Sequence, residues 1–345
     1  MKKTMNVEGY HRIGSHCLTT AISTVLRYQG LELTEEMVLG LGSGLGFTYV
    51  RQKDAFMFGG RGGNLEINLG SAFGLEVDIE QSKDADLAWE KAKDKLHLNL
   101  PLILDVDMSY LEYIKEKLHM EQGFSFGGHK VILIGFDEEK NVAYMLDYLW
   151  NRMVLVSVED LKKARNSPIK PVSPNNTSIT IYKPDKIYPI EFAIREAIDF
   201  NVQQMLYPVG YGLGLKALTR FFKEIKTWPE ILTEDRLRWE LNMAHMVFEK
   251  IGTGGGNFRR MYSRFLKASA EILEDNVLLE VSEIYAGLGR LWKKYAGYLY
   301  EASICAAPKE TDILNRKYQG EIELRILEME YLGIQRLEQD FIKRR

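Results

Sequence analysis

The stretch Gly14-Ser15-His16-Cys17-Leu18-Thr19-Thr20-Ala21-Ile22-Ser23-Thr24-Val25-Leu26 decides how the N-terminal half of this chain is read. Leu18, Ala21, Ile22, Val25 and Leu26 recur at the three- and four-residue spacing of one buried helix face. That spacing predicts a helix from Cys17 to Tyr28, stopped at Gly30. Cys17 then stands on the first turn, where unpaired amides and the helix dipole favour a thiolate over a thiol.

Two further groups lie well downstream. His129, 112 residues after Cys17, heads the apolar run Val131-Ile132-Leu133-Ile134-Gly135, and Asp147 closes the next run, Val142 to Leu146. The runs predict a hairpin across Asp137 to Asn141. If Glu139 centres its turn, position 131 lies opposite 147. Side chains alternate with period two, so His129 and Asp147 share a face as diagonal neighbours, about 5.5–8 Å apart at the α-carbons. A one-residue slip sends them to opposite faces. Asp137 is a rival acid, but it sits in the turn, where acids serve local hydrogen bonds. A lone buried cysteine is commonly an inert small hydrophobe, and a histidine at a strand start is commonly structural. The conjunction weighs the other way. A helix-start Cys, a strand-start His and an acid on the next strand follow the chain order of papain-like folds and point to acyl chemistry through a thioester.

Composition narrows the class. The chain has 345 residues with 46% hydrophobic content, enough for two domains with cores of their own. It carries 45 basic against 48 acidic residues, so no nucleic-acid partner is expected. Cys17 and Cys305 are the two cysteines. With no apolar segment behind Lys2 and Lys3, and no window resembling a membrane span, they read as reduced thiols of a cytoplasmic protein with no membrane partner. Helices are also expected at 34–39, 64–73, 84–96 and 158–164, and strands at 76–80, 100–107, 153–156 and 178–182. Beyond Pro189 the pattern becomes helical, in segments 190–206, 212–226, 234–250, 257–273, 277–303 and 311–344. The expected class is α+β: a Cys-bearing helix packed on an antiparallel sheet in residues 1–187, then an all-α domain in 188–345. The last helix shows a stripe of Leu324, Leu327, Tyr331, Ile334, Leu337 and Phe341 that must pack on something, a homodimer partner included.

Other features have weaker chemistry. His16 reads as a cap or packing residue. No CxxC or HExxH spacing supports a metal. The glycine-dense run from Gly40 to Gly46 lacks a P-loop ending and reads as a flexible wall beside the active site, with Phe47 and Tyr49 lining it. Asp105 and Asp107 end a buried strand on one face. They read either as a strand end meeting solvent or, with Tyr110 and Tyr113, as an anionic subsite for an amine; Asp107 and Tyr110 are the substrate-binding candidates. Gly252-Thr253-Gly254-Gly255-Gly256 precedes Arg259, Arg260 and Arg264. It is either an anion-binding nest or a tight helix connection with solvated arginines.

The same residues carry a family resemblance. Gly14-Ser15-His16-Cys17, Glu35 to Gly42, Gly44-Leu45-Gly46-Phe47-Thr48-Tyr49, Val106 to Tyr113, and Gly128-His129-Lys130-Val131 with Gly135-Phe136-Asp137 resemble the N-terminal domain of the butirosin-biosynthesis (BtrH-like) acyltransferase family. Gly252 to Arg260 and Tyr262-Ser263-Arg264-Phe265-Leu266 resemble its accompanying helical domain, so most of the chain is covered. The resemblance implies a papain-like fold turned to acyl transfer. The acyl group would come from a carrier-protein thioester, held on a phosphopantetheine arm with no other cofactor, and pass to a small-molecule amine. Cys17, His129 and Asp147 match the family's nucleophile, base and orienting acid. One position departs. Papain-like proteases place a Gln six residues before the Cys as an oxyanion donor, and here that residue is His11. The Cys17 amide is left as the one firm donor. A cysteine peptidase or amidase is the competing enzyme, and a binding module with a relic triad is the non-enzymatic alternative.

Overall fold

A computed structural model describes residues 1–52, 55–118, 125–170, 172–305, 307, 309, 314 and 317–343. In chain order the elements are β1 (Lys2–Thr4), α1 (Cys17–Tyr28), α2 (Glu35–Leu41), β2 (Leu45–Gln52), β3 (Ala55–Arg61), α3 (Leu65–Phe73), β4 (Glu76–Glu80), α4 (Ala85–His97), β5 (Leu102–Val106), α5 (Glu112–Leu118), β6 (His129–Asp137), β7 (Val142–Leu146), β8 (Val154–Ser157), α6 (Val158–Arg165) and β9 (Ser178–Tyr182). Helices α7 (Ile190–Leu206), α8 (Gly214–Glu224), α9 (Trp228–Ile231), α10 (Glu234–His245), α11 (Arg259–Leu273), α12 (Asn276–Ile304) and α13 (Lys317–Arg336) follow. The protein is α+β, with an antiparallel sheet and a C-terminal helical region. It divides into two compact units, residues 1–38 with 74–187, and residues 39–73 with 188–345. The chain therefore leaves the first unit within α2 and returns after α3, a passage that a single division at 187/188 does not describe. Among the described residues no helix is long and apolar enough to cross a membrane.

The first unit is built on an antiparallel sheet ordered β4-β9-β5-β6-β7-β8, with β1 also paired to β6. β6 is buried along almost its whole length, which explains its unbroken apolar run. The buried face of α1 holds Leu18, Ala21, Ile22, Val25 and Leu26, and α1 lies against β6. The β6–β7 ladder changes register once. Asp137, Phe136 and Gly135 oppose Val142, Ala143 and Tyr144, but Leu133 and Ile132 oppose Met145 and Leu146. Ile134 is the extra residue of a β-bulge. Next to it, Thr4 of β1 pairs with Gly135. A Cβ on Gly135 would stand 2.3 Å from the Lys3 carbonyl oxygen, so only glycine admits β1 there.

The second unit holds the correction to the glycine-dense stretch. The run from Gly40 to Gly46 is not a flexible wall: it spans the end of α2 and the start of β2, which pairs antiparallel with β3. The glycines serve close backbone approach: a Cβ on Gly46 would meet the Gly62 nitrogen at 2.4 Å. α13 buries Ile322, Ile326, Glu330 and Ile334, while Leu324 and Tyr331 of the expected stripe face outward. Its rotation follows Glu330, whose carboxylate is fully buried and paired with Arg259 at 2.6 Å. Residues 311–313, 315, 316 and 344 of the expected last helix lie outside the described residues.

Candidate active site

Cys17 is the first residue of α1. His16 caps this helix: its Nδ1 accepts from the Thr19 amide at 3.3 Å. The preceding turn is held by Glu35, an acid of the first turn of α2 that no sequence pattern links to Cys17. The Glu35 carboxylate accepts the Ser15 amide at 2.9 Å on both oxygens, the His16 amide at 3.4 Å and the Thr20 hydroxyl at 3.0 Å. A Cβ on Gly14 would collide with Glu35 and Thr20, which accounts for glycine at that position. The Cys17 amide itself has no hydrogen-bond partner among the described residues, as expected at a helix N-terminus.

His129 begins β6 and Asp147 follows the end of β7. The two face each other across the ladder, with His129 Nε2 2.7 Å from Asp147 Oδ2. The other imidazole nitrogen is left for the sulfur, and Cys17 is hydrogen-bonded both to the His129 side chain and to the Lys130 backbone amide. His129 and Asp147 are buried, whereas Cys17 is partly exposed. Burial pushes the Cys17 thiol up, but the His129 hydrogen bond and charge, with the Lys130 amide, outweigh it and hold the thiol below its ordinary value. Burial likewise pushes His129 down, and the Asp147 carboxylate overrides it, with Cys17 adding to the rise. The coupled pair therefore favours thiolate and imidazolium. The sulfur of a partly exposed cysteine thus sits beside a group that carries a proton, and a buried carboxylate fixes that group's orientation, the arrangement a cysteine nucleophile requires.

Three more side chains brace this array. Tyr113 donates its hydroxyl to Asp147 Oδ2 at 3.0 Å, and its ring meets Trp150 edge-on at 4.9 Å. His11 is buried; its Nε2 donates to the carbonyls of Asp147 at 3.1 Å and Trp150 at 2.8 Å, and its Nδ1 faces Thr24 Oγ1 at 3.1 Å. Burial holds its pKa below the ordinary histidine value, so the neutral ring ties α1 to the turn bearing the acid. His11 is thus turned inward and does not occupy the role of an oxyanion donor. Finally, the Gly14 amide donates to the Tyr148 carbonyl at 3.1 Å, a second tie between the turn before Cys17 and the turn after Asp147.

The other sequence candidates fall elsewhere. Asp107 is 1% exposed and accepts from the Ser109 amide and the hydroxyls of Ser125 and Ser167. Its oxygens are spent on its own serines, so it is a structural anion and not a surface for an amine. Asp105 pairs with Lys130. Tyr110 is exposed. Phe47 and Tyr49 do not line a cleft. Both are buried in the aromatic core of the second unit, Phe47 against Phe221 at 5.6 Å and Trp292 at 5.8 Å, Tyr49 edge-on to Phe221 at 5.3 Å with its hydroxyl on Glu224. The glycine nest is occupied from within. Gly256 donates to Glu249 at 2.7 Å and Gly255 to Thr253 at 3.0 Å, and Arg259 is buried rather than solvated. That loop is a tight connection, with φ positive from Gly254 through Phe258. Glu35 and Tyr113 carried a sequence signal, an acid in a helix first turn and a tyrosine near Asp107. Neither pointed to Cys17 or Asp147 until the fold brought them together.

Residues 16–148 match the family described as butirosin biosynthesis protein H, N-terminal, and residues 159–324 match a domain of unknown function, DUF4872. No curated protein matches the chain. Cys17, His129 and Asp147 all lie inside the first of these spans.

Proposed function

We propose, from the match of residues 16–148 to the butirosin biosynthesis protein H N-terminal family, that this chain forms amide bonds by acyl transfer in antibiotic or related secondary-metabolite assembly. The observation that carries the reading is the Cys17–His129–Asp147 array, with Cys17 partly exposed and the other two residues buried. Cys17 Sγ attacks the carbonyl carbon of an acyl thioester, and the donor thiolate leaves with a proton from His129. An amine then attacks the Cys17 thioester; its proton passes to His129, and the acyl–sulfur bond breaks to release the amide. Thiol–thioester exchange is nearly balanced and amide formation runs downhill, so a thioester donor suits a cysteine nucleophile. We take the donor to be a carrier protein presenting its acyl group on a phosphopantetheine arm, and the acceptor to be a small-molecule amine. The papain-like ancestry suggested by the chain order of the three residues fits this chemistry.

The test is turnover of an acyl thioester with and without a panel of amines. Amide formed by the wild type and lost in Cys17→Ala supports transfer. Free acid released at one rate whether or not amine is present identifies a hydrolase instead.

A further inference from the structure

We infer that the Tyr148 hydroxyl is a catalytic residue, the second donor, beside the Cys17 amide, to the oxyanion formed when Cys17 attacks a thioester. The inference rests on the proposed thioester chemistry and supplies the part of that site which sequence reading left open. A tetrahedral intermediate needs preorganised donors where its oxygen gains charge. The residue six positions before the nucleophile, His11, has both ring nitrogens committed to Thr24 and to the carbonyls of Asp147 and Trp150. The Ser15 and His16 amides are committed to Glu35. The Thr19 amide is committed to His16, and of the two amides of the turn that remain, those of Cys17 and Leu18, the Cys17 amide is the one on the nucleophile itself.

Tyr148 is placed to add the second. Its carbonyl is bonded to the Gly14 amide at 3.1 Å, which fixes its backbone to the turn three residues before Cys17. Its ring packs on the His129 imidazole with centroids 5.7 Å apart and planes tilted by 56°. Tyr148 is partly exposed, and its hydroxyl has no hydrogen-bond partner among the described residues. Burial first, and then the charges of Cys17 and Asp147, push the phenol well above its ordinary value. The sulfur's field therefore reaches this group, and the phenol keeps its proton across the physiological range.

The step balances without a further reactant. The Cys17 sulfur forms a bond to the carbonyl carbon and the π pair moves onto oxygen. Tyr148 donates a hydrogen bond to that oxygen and retains its proton. Collapse restores the carbonyl and expels the donor thiolate, which takes the His129 proton.

The experiment compares two reactions of Cys17 in the full chain. One is acylation by the acetyl thioester of N-acetylcysteamine, read by intact mass. The other is alkylation by iodoacetamide, which displaces iodide at a saturated carbon and develops no oxyanion. Tyr148→Phe keeps the ring and removes the donor. It is expected to slow acylation about 10²–10³-fold while alkylation and its pH profile stay within about twofold of wild type. Unchanged acylation overturns the inference, and so does an equal fall in both reactions, which marks a packing role. A wild-type chain that takes no acyl group overturns the thioester reading and this inference with it; acylation that is normal in both proteins overturns this inference alone.

Discussion

His129 Nε2 lies 2.7 Å from Asp147 Oδ2 because β6 carries one residue more than β7 between the turn and the site. On the turn side the register pairs Gly135 with Tyr144. Extended without interruption it would set position 132 opposite 147, with His129 and Asp147 on opposite faces. The bulge at Ile134 shifts the ladder by one, sets 131 opposite 147, and turns both side chains to the same face. The acid–base pair is therefore a product of a local irregularity, held in place by the approach of β1 to Gly135.

Asp147→Asn tests the electrostatics of the pair. The depressed thiol and raised imidazole bracket the pH window in which thiolate and imidazolium coexist. Loss of the carboxylate charge lowers the imidazolium pKa and lets the thiol rise toward its ordinary value. The acid limb of iodoacetamide alkylation is expected to move up by about one unit or more, and acyl transfer to fall about 10²–10⁴-fold. An acid limb that stays in place contradicts the assignment of Asp147.

Glu35 is expected to secure the nucleophile turn. Glu35→Ala leaves the Ser15 and His16 amides and the Thr20 hydroxyl without their acceptor, at a cost of about 1–3 kcal/mol in urea unfolding. Acylation of Cys17 should slow as the turn loosens. Glu35→Gln keeps one acceptor oxygen and should recover most of the loss. Equal stability of Glu35→Ala and wild type would show that the turn is held by other means.

The α1 stripe, the β6 and β7 runs and the helical pattern after Pro189 were legible because each is a short-range periodicity. His129 and Asp147 were legible as a pair only through an assumed turn centre. The actual register beside the turn is offset by one residue, and the bulge restores the assumed register at the site, which no local pattern announces. The β2–β3 hairpin was hidden by glycine density, although Phe47 and Tyr49, then Phe56 and Phe58, alternate with strand period. Those glycines answer to distant backbone, as Gly60 does to Asn257. His11 stands out in the sequence as a departure, but its inward orientation depends on carbonyls 136 and 139 residues away.

Asp107→Ala is expected to change stability and leave amine binding unchanged. Burial raises its pKa, but the hydroxyls of Ser167 and Ser125 and the Ser109 amide outweigh this and hold it low. A depressed carboxyl contributes stability that is present above its unfolded value, about 3.9, and is lost as pH falls through its folded value. Asp107→Ala should cost about 1–3 kcal/mol at pH 7, with the gap to wild type narrowing as the medium is acidified. The KM for the amine should not change. A raised KM at unaltered stability would return Asp107 to the substrate site.

The central claim is that the acyl group passes through the sulfur of Cys17, and intact-mass measurement after brief exposure to an acyl thioester tests it most directly. One added acyl mass is expected on the wild type, mapped to the peptide containing Cys17, discharged by an amine and missing from Cys17→Ala. The same mass on Cys17→Ala, or amide product from a wild type whose Cys17 is never acylated, would contradict it.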